Sequence, residues 1–452
     1  MKSTGRWITT GAALFAFLWA GGALGNESPK NIIMMIGDGF GFEQAAAGRL
    51  LVPGGQLVLD AMDSNPGSVN TLNVFGDITD SAASATAYAT GCKTENGNVS
   101  MAEDDSTILP TSMEAAQDPD QGMATGILSS VYLCDATPGV WLAHAPRRSC
   151  SSIIPQQVKA CPDVFLGPGE KVSYQRGGKG RNRVDYITDL VENCNYEQVG
   201  NAAELAAAQA PNDRLLGIWG GYTLMYDIDQ QNDPSYNLPS LAEMVAKAIE
   251  VLSRNPNGFF LMVEGGAIDW MAHNKDIAGT ARDVVAFDDA VAVAYNFAHA
   301  DGNTALIVTA DHETGGLDIG NNPNVAFIES ITASTDFMYG RVLRGEMSAE
   351  AALDTYAGVT DLTQAEKAAI DAYGETAISD ALSARANVQW ILPDGEVSVA
   401  PDEGDHSAYE VPVWAYGPGT GSLEGPIDNT DLGKLLFDLV GVSAPSCPVI
   451  GP

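Results

Sequence analysis

Short, almost unbroken apolar runs recur along this chain, separated by longer stretches in which apolar and polar residues mix. The runs fall at Asn31–Gly37, Met123–Val131, Leu215–Trp219, Phe259–Val263, Thr304–Thr309 and Val411–Tyr416. None alternates apolar and polar residues as a half-exposed strand would. Their shortness and continuity predict strands covered on both faces, as in a parallel sheet. Ser81–Thr90, Leu238–Arg254, Thr280–Ala300 and Asn429–Val440 predict helices between them. The alternation predicts an α/β fold: one large domain with a central, mostly parallel sheet flanked by helices.

Two stretches interrupt that rhythm. Residues from about 323 to 401 are Ala-rich and helical in character, and Thr363-Gln364-Ala365-Glu366 is a capping box. This segment reads as an insertion on the sheet, a cap or a dimer contact. Residues from about 150 to 183 are rich in Gly, Lys and Arg and read as a surface loop region.

The first residues follow a different pattern. Lys2 and Arg6 precede an apolar run from about Ile8 to Leu24, and Ala23-Leu24-Gly25 supplies small residues for cleavage. This is the layout of a signal peptide over 1–25, leaving 26–452 as the mature domain. No later run of about 18 apolar residues follows, so a soluble exported protein, periplasmic or extracellular, is expected. Export implies an oxidising compartment. Of the six cysteines, Cys150 and Cys161 flank a short segment and are the one pair that spacing suggests.

Composition narrows the function. The formal charge is −35, from 23 basic and 58 acidic residues. Phosphate backbones and anionic lipids are gripped by Lys and Arg, so a nucleic-acid or membrane surface is excluded as the main function. With 45% apolar and 18% charged residues, the chain has the composition of a folded protein.

The chemistry lies where the strands end. Asn31–Gly37 runs into Asp38, Phe259–Val263 into Glu264, and Thr304–Thr309 into Asp311-His312. Ligands bind at the carboxyl ends of strands in open parallel sheets. Three acids gathered in one crevice are costly unless a cation compensates them. Only five histidines are present, and three stand beside acids: His273 four residues after Asp269, His312 after Asp311, and His406 after Asp405. Imidazole with carboxylate suits Zn2+. Thr137 and Glu264 offer oxygen alone, which suits Mg2+. His144 and His299 lie in apolar or helical settings and read as structural. Ser81 opens a small-residue helix after Thr79-Asp80, where an anion is favoured. Arg148, downstream of Asp135-Ala136-Thr137-Pro138, could clamp two oxygens of a tetrahedral anion.

Taken in order, these motifs resemble those of the alkaline phosphatase family: Gly37-Asp38-Gly39, Thr79 to Ala87, Asp135-Ala136-Thr137-Pro138 with Arg148, Val263 to Asp269, Ala310 to Gly316, and Asp405-His406-Ser407. The resemblance spans about Asn31 to Val440. It implies a phosphomonoesterase that forms a covalent phosphoserine on Ser81, with Arg148 holding phosphate. It implies Asp269, His273 and His406 as ligands of one Zn2+, and Asp311, His312 and Asp38 as ligands of a second. Asp38 would bridge to Mg2+, with Thr137 and Glu264. It implies small phosphate monoesters as substrates, a crown-like insertion at about 323–401, and a homodimer. Trp270 departs from the pattern, because several members carry Lys or His there, and it implies weaker retention of phosphate. A sulfatase would need Cys or Ser followed by x-Pro-x-Arg, which the chain lacks. A diesterase, or a non-catalytic scavenger of zinc or phosphate, is the competing reading.

Overall fold

The computed structural model describes residues 28–62, 66–169, 186–391, 406–423 and 425–448. The expected signal peptide lies outside them, as do residues 170–183 of the expected surface loop and the end of the expected insertion.

In chain order the strands are β1 (Asn31–Gly37), β2 (Gly67–Asn70), β3 (Ala124–Ser129), β4 (Val164–Pro168), β5 (Glu197–Gln198), β6 (Leu215–Trp219) and β7 (Phe259–Gly265). They continue with β8 (Thr304–Thr309), β9 (Glu313–Thr314), β10 (Leu317–Asp318), β11 (Gln389–Trp390), β12 (His406–Ser407), β13 (Val411–Tyr416) and β14 (Pro426–Asp428). Ten of them form one sheet, in the order β14-β2-β13-β8-β1-β7-β3-β4-β6-β5. Every residue of β1, β3, β7 and β8 is buried, because helices cover both faces. That is why their sequences read as unbroken apolar runs rather than alternating ones.

The pairing within the sheet is parallel apart from β13, which runs antiparallel to β8 and β2. Val411–Tyr416 was expected to be parallel. A run buried on both faces carries no signal of direction, so its sense is set by the connections.

The register decides where the chemistry falls. Ile36 in β1 pairs with Glu264 in β7 on one side and with Thr309 in β8 on the other. Ser129 in β3 pairs with Glu264 in turn. The segments bearing Asp38, Glu264 and Asp311 therefore leave the sheet side by side at its carboxyl edge.

Helices fix the rest. Asp80 caps the helix Ser81–Thr90 by accepting from Ala83 N at 2.9 Å. The long helix Ile277–Asp301 starts at Asp276, which accepts from Ala278 N and Gly279 N. Residues 323–391 are largely helical, as expected: Val325–Ser330, Thr335–Leu343, Ala349–Ala357, Gln364–Tyr373 and Glu375–Ala386. The capping box of Thr363 and Glu366 is formed. A second apolar core joins Met338, Leu353, Ile378 and Trp390 of this segment to Met271 and Ala272. Residues of this segment thus pack against the helix Ala267–His273.

Two expectations need correction. Cys150 does not pair with Cys161; the disulfides are Cys92–Cys447, Cys134–Cys150 and Cys161–Cys194. Cys150 opens an 11-residue helix, Cys150–Ala160, that ends just before Cys161. At 1.5 Å per residue the ends of that helix stand roughly 16 Å apart, beyond the reach of a disulfide. The same helix, followed by β4, also replaces the surface loop expected from residue 150 onward.

Candidate active site

Ser81, Asp38, Asp135, Arg148, Asp269, Trp270, His273 and His406 line one cleft of about 380 Å³ at the carboxyl edge of the sheet. The remaining expected residues, Thr137, Glu264, Asp311 and His312, are fully buried beneath it. All ten candidate side chains therefore converge, although they come from segments spread over most of the chain.

Asp269 and His273 sit one turn apart on Ala267–His273, so both face the cleft. His273 Nε2 is 3.3 Å from Asp269 Oδ2. His406, on β12, points its Nε2 at His273 Nε2 from 3.2 Å and lies 3.9 Å from Asp269 Oδ1. His406 Nδ1 donates to the carbonyl of Thr79 at 3.0 Å. That bond puts the proton on Nδ1 and turns the Nε2 lone pair toward His273 and Asp269.

The second group is deeper. His312 Nε2 is 3.5 Å from Asp38 Oδ1 and 3.5 Å from Asp311 Oδ2. It also lies 3.2 Å from Ser81 Oγ. Gly39 N donates to Asp311 Oδ1 at 3.3 Å, and Thr137 Oγ1 to Asp311 Oδ2 at 3.2 Å. Gly39 adopts φ +69°, and a Cβ there would stand 2.8 Å from the Asp269 Cα. Glycine therefore lets the two loops touch. The imidazoles of His312 and His406 stack with centroids 3.5 Å apart, which joins the two groups.

Electrostatics explain what such a site needs. Left to themselves, the Asp38 and Glu264 carboxyls are pushed far up in pKa. Burial is the main cause, with the neighbouring acids adding to it. Asp311 is raised to about 7, by burial and then by Asp269. Burial would raise Asp269 too, but His273 and His406 outweigh it and hold it ionised. His312 is pushed down by burial and by His406. Arg148 also loses hydration, yet Asp135 and Asp80 more than restore its charge.

Asp38 Oδ1 and Glu264 Oε1 are buried with no hydrogen-bond donor. Orphaned carboxylate oxygens among like charges are costly for a protein alone and suit a cation. Asp269, His273 and His406 form one group whose donor atoms lie within 4.8 Å of one another, and Asp38, Asp311 and His312 form another. The residues present therefore fit metal ions.

Several supporting residues escaped the sequence reading. Thr314 Oγ1 donates to Asp269 Oδ1 at 2.5 Å and lies 3.2 Å from His312 Nδ1, so it orients both groups. Ser129 Oγ hydrogen-bonds Glu264 Oε2. Glu313 receives the Ser407 hydroxyl, and Gln44 Nε2 at 2.6 Å, which fastens β12 and hence His406. Thr314 could have been suspected from its place two residues after His312. Thr79 acts through a backbone carbonyl, for which no residue type is a signal. His144 and His299 lie elsewhere, as expected: His144 pairs with Glu114 at 2.8 Å, and His299 stacks on Tyr416.

Comparison with known proteins agrees with this geometry. Residues 29–442 match the family described as alkaline phosphatase. Alkaline phosphatase 3 of Bacillus subtilis is 31% identical over 441 residues, covering 91% of this chain and 89% of its own. The crystal structure of a cold-active alkaline phosphatase from the psychrophile Shewanella sp. superposes with a TM-score of 0.77 at 28% identity, over 91% of this chain and 99% of the other. That of Thermus thermophilus alkaline phosphatase gives 0.76 at 28% identity, over 94% and 95%. On its motifs, its fold and these relatives, the chain belongs to the alkaline phosphatase family.

Proposed function

We propose that this protein hydrolyses phosphate monoesters to an alcohol and inorganic phosphate, with Ser81 as the nucleophile. The observation that carries the reading is the convergence of the Ser81 hydroxyl with two histidine–carboxylate groups in one cleft that Arg148 also lines. In this reading Asp269, His273 and His406 would hold one Zn2+, Asp38, Asp311 and His312 would hold another, and Asp38, Thr137 and Glu264 would hold Mg2+. The donor types support that division, with imidazole and carboxylate for zinc and oxygen alone for magnesium. When bound, the ions supply Lewis acidity and positive charge to an anionic substrate.

The chain's own residues do the rest. Arg148 fixes two non-bridging oxygens of the ester with its guanidinium fork. Ser81 stands at the positive end of its helix, where negative charge on the hydroxyl oxygen is favoured. Its Oγ attacks phosphorus as the bond to the alcohol breaks; the hydroxyl proton passes to water and the departing alcohol oxygen takes one up from water, so the step exchanges no net proton. Water then attacks the phosphoserine in line, releases phosphate and restores Ser81. Thr314, Thr79 and Glu313 hold the ligand side chains in register for both steps.

The same reading makes residues 1–25 a signal peptide and 26–452 one exported catalytic domain. The crown-like segment at 323–401 then lies near a homodimer interface. Three disulfides support an oxidising compartment. Among the described residues, no helix is long and apolar enough to cross a membrane.

The test is hydrolysis of a chromogenic aryl phosphate at alkaline pH by protein as purified, after chelation, and after Zn2+ and Mg2+ are restored. Activity should vanish on chelation and return with the metals. Folded, metal-loaded protein without turnover would overturn the reading.

A further inference from the structure

Above the charged floor, the cleft has a wall of aromatic rings that the phosphoryl chemistry does not require. Tyr132, Trp270 and Tyr226 line the cleft directly. The rings of Tyr132 and Trp270 have centroids 6.0 Å apart at 57°. Tyr222 meets Tyr132 edge-on, with centroids at 5.7 Å. Tyr222 is 57% exposed, so the outer end of the wall is presented to solvent rather than spent on packing.

The wall is also held in place. Leu224 N donates to the Ser130 carbonyl at 2.9 Å, and Val131 bridges to Thr223. The segment carrying Tyr222 is thereby fastened to the turn carrying Tyr132. Trp270 stands on the short helix whose position Asp269 and His273 share. Three separate segments thus build one preformed surface beside the reactive serine.

We infer that this wall receives the organic part of the ester, and that the enzyme prefers monoesters whose alcohol carries a planar, uncharged aromatic ring, as in aryl-alkyl or nucleoside esters, over small aliphatic ones. The inference rests on the monoesterase reading. A cleft of about 380 Å³ has room for more than a phosphate group. Ser81 and Arg148 claim the phosphate, which leaves the aromatic side for its substituent. Aromatic rings attract one another in edge-on and offset geometries at centroid distances of about 4.5–7 Å. Asp135, the carboxylate of the cleft lining that is not among the residues that would hold a metal, disfavours a substituent with its own negative charge.

The probes are 2-phenylethyl phosphate and ethyl phosphate, both esters of primary alcohols, so that the ring is the main difference. The ratio of their kcat/KM values is measured on the metal-loaded enzyme. The parent should prefer the phenyl ester by about tenfold, as one well-made aromatic contact allows. Tyr132→Ala and Tyr222→Ala should each shrink that ratio to about threefold or less. Tyr132→Phe should keep it, since the ring and not the hydroxyl is used. Melting temperatures show whether each variant is folded, and the exposed Tyr222 can be cut back without opening the core. A parent ratio near one, or a ratio kept in both alanine variants, overturns the inference while ethyl phosphate is still turned over. No turnover of either ester overturns the monoesterase reading and the inference with it.

Discussion

The Nε2 atoms of His273 and His406 face each other across 3.2 Å, with the Asp269 carboxylate beside both. The two residues are 133 apart in sequence, and the Thr79 carbonyl fixes which nitrogen of His406 is presented. A cation satisfies all three side chains without a proton between the imidazoles. His406→Ala should therefore lower the zinc content of purified protein by about one equivalent, while the group built on Asp38, Asp311 and His312 stays loaded. Elemental analysis of the variant checks this. An unchanged zinc content would remove His406 from the ligand set.

Metal-stripped protein should lose stability as pH rises from 6.5 to 8. Burial and then Asp269 push Asp311 up to about 7 in the folded chain, and burial with the neighbouring acids holds Asp38 and Glu264 well above the ordinary carboxylate range. In the unfolded chain these groups are already ionised in this window, so the folded state binds more protons. The stability they contribute is complete below their unfolded pKa and is lost as pH rises through the folded one. Asp229, raised to about 7 by burial, adds a slope of the same sign. His312, pushed down by burial and then by His406, works in the opposite direction, and its effect fades within about one pH unit above its ordinary value of 6.5. Melting curves of stripped and reloaded protein should diverge with rising pH. A stripped protein equally stable at both ends of the window would contradict the electrostatics described above.

Trp270 lines the cleft where a lysine would bring positive charge near bound phosphate. Trp270→Lys should tighten inhibition by inorganic phosphate severalfold and slow turnover where product release limits it. The inhibition constant is the readout, and an unchanged constant would assign Trp270 to the aromatic wall alone.

The Cys92–Cys447 disulfide closes a loop of 355 residues. It ties the C-terminal segment to the end of the helix that begins at Ser81. The helix Asn429–Val440 packs against that same helix so closely that a Cβ on Gly433 would stand 2.2 Å from the Ala87 carbonyl. Replacing Cys92 and Cys447 together by Ser should cost about 2–4 kcal/mol and lower the melting temperature. A melting temperature equal to the parent's would show that helix packing alone holds this end.

The acids just beyond β1 and β8 were legible in the sequence because these buried runs give way to a carboxylate where the chain leaves the sheet, and Glu264 was legible as the one acid in an apolar strand, one residue before β7 ends. The four-residue spacing of Asp269 and His273 gave their common face for the same kind of reason. Direction was not legible, and β13 proved antiparallel with the same apolar pattern as its parallel neighbours. Cysteine partners depend on three-dimensional proximity, so the short spacing of Cys150 and Cys161 misled once a helix was found to separate them. That helix was hidden by Pro155 and its polar outer face, although Ile153, Ile154 and Gln157 form a buried stripe. The groups that orient the ligands, such as the Thr79 carbonyl and the Ser129 hydroxyl, have no distinctive residue type and emerge only from coordinates.

The central claim is that phosphate passes through a covalent bond to Ser81. It is tested most directly by acid-quenching the metal-loaded enzyme during turnover of a phosphate monoester and mapping the adduct by peptide mass spectrometry. One phosphoryl group is expected on the peptide containing Ser81, absent before substrate is added and absent in Ser81→Ala. Turnover that proceeds in Ser81→Ala at a rate near the parent's, with no phosphoryl group on that peptide in the parent, would contradict the phosphoserine route.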